Sequence, residues 1–459
     1  MARSRFILVP FPAQGHVTAM LRLGRLLNAS GFDVTMATPD FIHRRLAGSA
    51  DAGVVRHACL PSGLPEADHT ADDSAAIVRA MECHVPPHLE RLLLADGGGA
   101  VACVVVDLVA SWAIPVAKRC GVPVVAGFWP GMLASYRVIS AIPELIRRGF
   151  ISDQDGSFLR HQSQSKRELE AEVLKILAVE AKLSPEELPW LVGDSAVQNL
   201  RFKFWLQVVD RAKSLQFLLV NTFPGEAGDG GRLLSPEHRS PLALPIGPLT
   251  AHETIPRPNL WEEDESCLVW LKNQPPGSVV YVSFGSWVAP LPPATISEFA
   301  LGLEAAGSPF LWALRDDARW RAGLPAGFAG RSGRRVVDWT PQEAVLASPA
   351  VGCFLTHCGW LSVLEAALHR KRMLCYPIAG DHFVNAAQIA GVWGAGVRLE
   401  EGCGCGDVAE GIRRVMGGKE GEKVQKGVEE LRRRVVEEKG SAEAMANLQS
   451  FIDASKLNQ

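Results

Sequence analysis

Short apolar runs closed by turn residues alternate along this chain with stretches whose apolar positions recur every three or four residues. The first pattern is that of strands buried on both faces of a parallel sheet, the second that of helices lying against it. Phe6 to Phe11 reads as a strand, and Pro12-Ala13-Gln14-Gly15-His16 as the turn after it. Val17, Met20, Leu21, Leu23 and Leu27 mark the buried face of a helix that Gly31 ends, and Phe32 to Thr38 returns as a strand. Val101 to Val106 is another buried run with Asp107 at its end, and Leu215 to Asn221 a further one. Residues 110–205 look less regular. Their aromatics, Trp112, Trp129, Tyr136, Trp190, Phe202, Phe204 and Trp205, are expected largely in a core.

The glycine- and proline-rich run from Pro224 to Pro258 reads as a linker, with Leu242 to Pro248 as the last piece of the domain before it. The alternation then resumes. Val279 to Ser283 is a strand with a tight turn at Phe284-Gly285-Ser286, Phe299 to Ala306 is helical, and Phe310 to Leu314 is a strand. Two strand–helix units follow between Trp339 and His382. Thr340 is expected to cap a short helix with Pro341 at its first position. Val351 to Leu355 is a buried strand ending at Thr356-His357-Cys358-Gly359, and Ser362 opens a helix that buries Val363, Leu364, Ala366 and Ala367. Met373 to Ile378 is the next strand, with Gly380-Asp381-His382 just past it. Ala386 to Trp393 and Val408 to Met416 read as helices, Glu420 to Lys439 as a charged surface helix, and Ala442 to Ile452 as an amphipathic one. His357, Gly359, Ser362, Asp381 and His382 therefore fall at strand C-termini or at a helix start. Ligands of doubly wound α/β folds bind there, and the N–H groups of a helix start favour phosphate. The plain alternative is a βαβ segment whose glycines only make turns; several polar groups meeting at one sheet edge argue against it.

Length and composition narrow the class. The 459 residues suggest two or three domains, and 47% hydrophobic with 21% charged residues fits globular cores. A formal net charge of −3 leaves no electrostatic footprint for nucleic acid. The apolar run before Pro10 is too short for a signal peptide, and Val101 to Ala117, the nearest approach to a membrane span, is broken by Asp107 and Pro115. Ten scattered cysteines suggest reduced thiols in the cytosol, with Cys353, Cys358 and Cys375 as small core residues and Cys403-Gly404-Cys405 in a surface turn. Asp153-Gln154-Asp155 matches a D-x-D spacing with which some enzymes hold a metal on a diphosphate. Here it follows no strand and lies in the polar run Ser152 to Lys166, so a solvated loop is the expectation. The opening βαβ unit lacks G-x-G-x-x-G, which argues against a nicotinamide enzyme.

The stretch from Trp339 to His382 resembles the signature box of plant family-1 UDP-dependent glycosyltransferases. It carries W-x-P-Q at its start, H-C-G-W in the middle, S-x-x-E after that, and Asp near its end. The resemblance implies that Trp339 stacks on uracil, Gln342 helps hold the uridine, and Glu365 accepts from the ribose hydroxyls. It implies that His357 and Ser362 bind the diphosphate with the Gly359 backbone close by, and that Trp360, Asp381 and His382 face the sugar. The S-F-G-S of Ser283, Gly285 and Ser286 resembles the family segment that approaches the donor phosphates. Leu361 stands where family members usually carry Asn, whose amide contacts phosphate, and leucine cannot make that hydrogen bond. His382 stands where glucose-using relatives mostly have Gln and some galactose-using ones have His.

Position alone leaves His16 equally readable as a structural cap or a catalyst. The wording F-P-x-Q-G-H resembles the family segment with the catalytic histidine, and Asp107 matches the aspartate that partners it. A hydroxyl nucleophile must lose its proton, and a neutral imidazole suits that task. A carboxylate on the far ring nitrogen would fix the tautomer and stabilise the imidazolium. The resemblance then implies the GT-B arrangement, two Rossmann-like domains facing across a cleft. Residues 1–245 would bind the acceptor, 246–262 link, 263–440 bind the UDP-sugar, and 441–459 return as a helix to the first domain. The expected activity is inverting transfer of a hexose, glucose ahead of galactose, to a small apolar acceptor such as a phenolic or terpenoid. UDP-sugar is a co-substrate, and neither cofactor nor metal is expected. A cytosolic monomer without nucleic-acid partners is expected. A non-catalytic UDP-sugar binder, supported by Leu361, stands as the alternative.

Overall fold

The computed structural model describes residues 4–46, 55–65, 74–95, 100–159, 166–226, 241–249, 260–328, 333–436 and 438–457. The chain divides into two compact units. One comprises Met1–Glu180, Ser184–Leu260 and Glu438–Gln459, the other Ala181–Leu183 and Trp261–Glu437. Much of the expected linker, 250–259 within 246–262 and 227–240 before it, lies outside the described residues.

The first unit holds a parallel sheet of β1 (Arg5–Val9), β2 (Asp33–Pro39), β3 (Arg56–Leu60), β4 (Val101–Asp107), β5 (Val124–Trp129), β6 (Phe217–Val220) and β7 (Leu242–Pro245). Their order is β3-β2-β1-β4-β5-β6-β7. β1 and β4 are buried at every position, as continuous apolar strands covered on both faces must be. At the edge, β3 mixes Arg56 and His57 with small residues and is largely accessible, which discourages pairing with another chain. The final helix, Glu438–Leu457, belongs to this unit. Phe451 is fully buried against Phe6 and Phe217, at ring-centroid distances of 6.5 and 5.7 Å, and Asn447 Nδ2 donates to the Pro245 carbonyl at 2.8 Å.

The second unit repeats the plan with β8 (Val279–Ser283), β9 (Phe310–Ala313), β10 (Arg334–Val337), β11 (Val351–Thr356), β12 (Arg372–Cys375) and β13 (Gly396–Arg398), ordered β10-β9-β8-β11-β12-β13. In both sheets the strand order reverses beside the first strand, between β1 and β4 and between β8 and β11. Ligands of doubly wound sheets bind at that switch point, beyond the strand C-termini.

Several elements differ from expectation. Residues 110–205 carry a series of helices, Ala113–Arg119, Leu133–Ser140, Ile142–Arg147, Lys166–Leu177 and the start of Ser195–Ala212, where less regular structure was expected. Most of these helices are short, and the long one buries only Phe202, Val208, Val209 and Ala212, so the apolar period is weak. Asp194 starts that helix by accepting from the N–H groups of Ala196 and Val197. Thr340 does not cap the helix after Trp339. That helix runs Gln342–Ala347 from Pro341, and the Thr340 hydroxyl is hydrogen-bonded to the Tyr281 hydroxyl at 2.7 Å. The next helix starts at Trp360, two residues before Ser362, with Gly359 as its cap. β12 ends at Cys375, short of Ile378, and the helix expected from Ala386 begins at His382. Cys405 opens the helix Cys405–Met416 instead of standing in a turn, because Asp407 Oδ2 accepts from the Gly404 N–H at 2.9 Å.

Candidate functional site

In the first unit the switch point joins a histidine to a carboxylate. His16 is the third residue of the helix Gln14–Ala29, which begins shortly after β1. Asp107 ends β4, the strand beside β1. His16 Nδ1 and Asp107 Oδ2 are 2.7 Å apart. Asp107 is fully buried while the His16 side chain is 27% exposed. Two backbone N–H groups hold the carboxylate as well, Phe11 on Oδ2 at 3.2 Å and Val109 on Oδ1 at 3.0 Å. An ionised carboxylate only accepts, so the proton between them sits on Nδ1 and Nε2 is left as the basic nitrogen. Aromatics lie near the end of the neighbouring β5. Trp129 packs against Tyr136 and Trp205 at 5.8 and 6.2 Å, and Trp205 meets Phe204 at 5.2 Å. Trp112, Trp129, Tyr136, Trp190 and Phe202 are buried, whereas Phe204 and Trp205 are half-exposed.

Glu226, which no motif in the sequence marks, is a buried acid in the same unit. Its Oε2 accepts from the Leu133 N–H at 2.6 Å, at the start of the helix Leu133–Ser140, and burial pushes its carboxyl up to about 7. Asp153 and Asp155 form an accessible turn whose Asp155 Oδ1 accepts from the Ser157 N–H and hydroxyl. Among the described residues no group of His, Cys, Asp or Glu is placed to hold a metal ion, and no helix is long and apolar enough to cross a membrane.

In the second unit the switch point is built on glycine. His357 follows β11, and Gly285 follows β8. Gly285 has φ +80°, and a Cβ on either Gly285 or Gly359 would run into His357 Nε2. The imidazole is thus wedged between two positions that tolerate no side chain. Cys358, between His357 and Gly359, also adopts a left-handed conformation with φ +68°. It is held there by its N–H donating to Thr356 Oγ1 at 3.1 Å and by Asn385 Nδ2 donating to its carbonyl at 2.8 Å. Such strain in a residue with a Cβ persists only where the surroundings impose it. Burial, then the neighbouring His382, push the His357 imidazole down to about 3, so it is neutral at physiological pH. Its Nδ1 has no hydrogen-bond partner among the described residues. The rings of His357 and His382 meet edge-on at 4.7 Å, and His382 Nδ1 accepts from the Ala379 N–H at 3.2 Å.

Around this core lies a polar network. Gln342 Nε2 donates to Ser362 Oγ at 3.0 Å and to Glu365 Oε2 at 2.8 Å, while its Oε1 accepts from the Tyr281 hydroxyl at 3.2 Å. Three residues named from the sequence, Gln342, Ser362 and Glu365, are therefore brought together, and Tyr281 and Thr340 join them unannounced. Asn385 was missed too; its Nδ2 reaches Asp381 Oδ2 at 2.9 Å as well as the Cys358 carbonyl. Ser283 and Ser286 stand with Gly285 at the end of β8. Trp339 is half-buried, its ring 5.7 Å from that of Trp261. Trp360 is only 4% exposed and packs on Trp393 at 6.2 Å, which leaves little of its ring for a ligand. Trp360, Leu361 and Ser362 form the first turn of the helix Trp360–Leu368, and the N–H groups of a first turn find no acceptor within their own helix. Such a turn suits phosphate, and at Leu361 only the backbone can take part.

Known proteins resemble this chain. The model of the UDP-glucoronosyl and UDP-glucosyl transferase family matches residues 254–425. UDP-glycosyltransferase 82A1 of Arabidopsis thaliana is 45% identical over 435 residues, covering 90% of this chain and 91% of that protein. The 7-deoxyloganetin glucosyltransferase of Gardenia jasminoides is 30% identical, covering 99% of this chain and 96% of that protein. The crystal structure of Os79 from O. sativa in complex with UDP superposes with a TM-score of 0.82 at 25% identity, covering 99% of this chain and all of that one. Two parallel Rossmann-like sheets, a box from Trp339 to His382 and identity sustained along nine-tenths of the length lead to one conclusion: this chain belongs to the UDP-glycosyltransferase family.

Proposed function

We propose that the chain transfers a hexose, glucose ahead of galactose, with inversion from a UDP-sugar to a hydroxyl of a small, largely apolar acceptor. The observation that carries this reading is the 2.7 Å contact of His16 with the buried Asp107. The acceptor oxygen attacks C1 of the sugar as the bond from C1 to the β-phosphate oxygen breaks, and the hydroxyl proton passes to His16 Nε2. Asp107 stabilises the imidazolium that forms. The half-exposed Phe204 and Trp205 offer the acceptor an apolar surface.

On the donor side Trp339 takes the uracil, Gln342 and Glu365 the uridine, and Ser283, Gly285, Ser286, His357, Gly359 and Ser362 the diphosphate. Asp381 and His382 take the sugar. His357 works as a neutral donor of a hydrogen bond, since its burial disfavours a charge. Neutral donors and a helix start, aimed at charge that grows on the leaving UDP, supply the electrostatic help the bond cleavage needs, so the reading requires no metal. A cytosolic monomer completes it, in keeping with ten cysteines that all stand free of disulfides.

Leu361, which puts an alkyl side chain in the phosphate-facing turn, favours a second reading, a binder without turnover. Incubation with UDP-glucose, UDP-galactose and a panel of phenolics and terpenoids separates the two. Acceptor-dependent UDP release supports transfer; UDP-sugar binding without release supports the binder.

A further inference from the structure

One guanidinium at the donor site has no role so far. Arg315 lies just beyond β9, and its Nη2 donates to the Ser286 carbonyl on the loop after β8. The same guanidinium lies over the ring of Trp261, 5.1 Å from its centroid. Trp261 packs on Trp339 with ring centroids 5.7 Å apart and planes tilted by 36°. That spacing and tilt leave no room for a base between the two indoles, so Trp261 supports Trp339 from behind. The segment is tied to Trp339 a second time, because the Asp264 N–H donates to the Trp339 carbonyl at 3.0 Å, with Arg335 bracing Asp264 at 3.4 Å. A single run of contacts therefore joins the ring assigned to uracil to the loop assigned to the diphosphate.

We propose that Arg315 and Trp261 are positioning residues that set the Trp339 ring and the Ser286 loop together, so that base and diphosphate are recognised as one unit. This rests on the donor-site reading above. A half-buried indole at a loop has rotamers to choose from; a second indole behind it, with a cation on that indole's face, selects one of them. Arg315 is the shared part: it presses on Trp261 by cation–π attraction and holds Ser286 by a charge-assisted hydrogen bond. Trp261 packs directly on the base side of this arrangement, against Trp339.

The two residues therefore have separable signatures in calorimetric titrations of the full chain with UDP and with uridine. Trp261→Leu should weaken both by about the same factor, roughly tenfold, the scale of a lost aromatic pair, and Trp261→Phe should recover most of it. Arg315→Met should weaken UDP by more than uridine, because it releases the Ser286 loop as well, with Arg315→Lys in between. The acceptor KM should not move. If Trp261→Leu does not fold, the Phe variant and the Arg315 pair carry the test. Wild-type affinities in Trp261→Leu and Arg315→Met overturn the inference, as does an equal loss for UDP and uridine in Arg315→Met. A wild-type chain that binds no UDP would instead remove the donor-site reading beneath it.

Discussion

The two units place a histidine at the same topological point and give it opposite surroundings. His16 follows β1 beside β4, is partly exposed, and faces a buried carboxylate. His357 follows β11 beside β8, is buried, and is pressed between two glycines. Burial and the neighbouring His382 disfavour the protonated ring at His357, while His16 has a carboxylate on its Nδ1. Strand order thus decides where a histidine goes, and its neighbours decide what it can do. In the proposed reading, one takes a proton and the other offers a hydrogen bond to a phosphate.

The sharpest way to break this contrast is to spoil one neighbour at a time. Asp107→Asn keeps the shape but removes the charge that holds the proton on Nδ1, so turnover under saturating substrates should fall roughly 100- to 10,000-fold. UDP affinity, measured by calorimetry, should stay unchanged. Gly359→Ala works on the other side. Its backbone, φ −60° and ψ 135°, suits alanine, but the new Cβ must displace the His357 ring. UDP affinity should fall by about tenfold, the value of one charge-assisted hydrogen bond, while the acceptor KM holds.

Acid and base stability should also separate the units. His357 has a folded pKa below its unfolded value, about 3 against 6.5. Its contribution is present above 6.5 and is lost as pH falls toward 3, because the unfolded chain binds the proton first. Glu226 runs the other way, from 4.5 up to about 7. Its contribution is present below 4.5 and is lost as pH rises through 7. Denaturant titrations across pH 4 to 8 should therefore show Glu226→Gln flattening a loss toward neutral pH and His357→Gln flattening a loss toward acid. Identical profiles for both variants and wild type would contradict the environments described. The smallest effect concerns Leu361→Asn. An amide at that turn should tighten UDP by about 1 kcal/mol, roughly fivefold; unchanged calorimetric affinity would show that the backbone there already does the amide's work.

The strands at both switch points and the residues at their ends were legible because parallel strands buried on two faces leave continuous apolar runs and sharp polar ends. Asp107, His357 and Ser283 stand out for that reason. Tyr281 and Asn385 did not, since a tyrosine in Val-Val-Tyr-Val-Ser reads as core and Asn385 falls just ahead of the helix expected from Ala386, in no pattern. Only the approach of Thr340 and the helix Gln342–Ala347 to β8, and the return of the helix His382–Ala387 to Cys358, give their polar atoms partners. Trp261 was hidden similarly, at the end of a proline-rich stretch with no pattern of its own. Among the helices of residues 113–212, the short ones show too few turns for a period to emerge, and the long Ser195–Ala212 buries too few residues to mark one.

The division of labour between the two histidines is tested most directly in one variant, His16→Ala, with turnover and UDP binding measured on the same preparation. The account predicts turnover lower by about a hundredfold or more and a UDP dissociation constant equal to that of the wild type. Near-normal turnover, or a UDP affinity that falls in step with the rate, would contradict it.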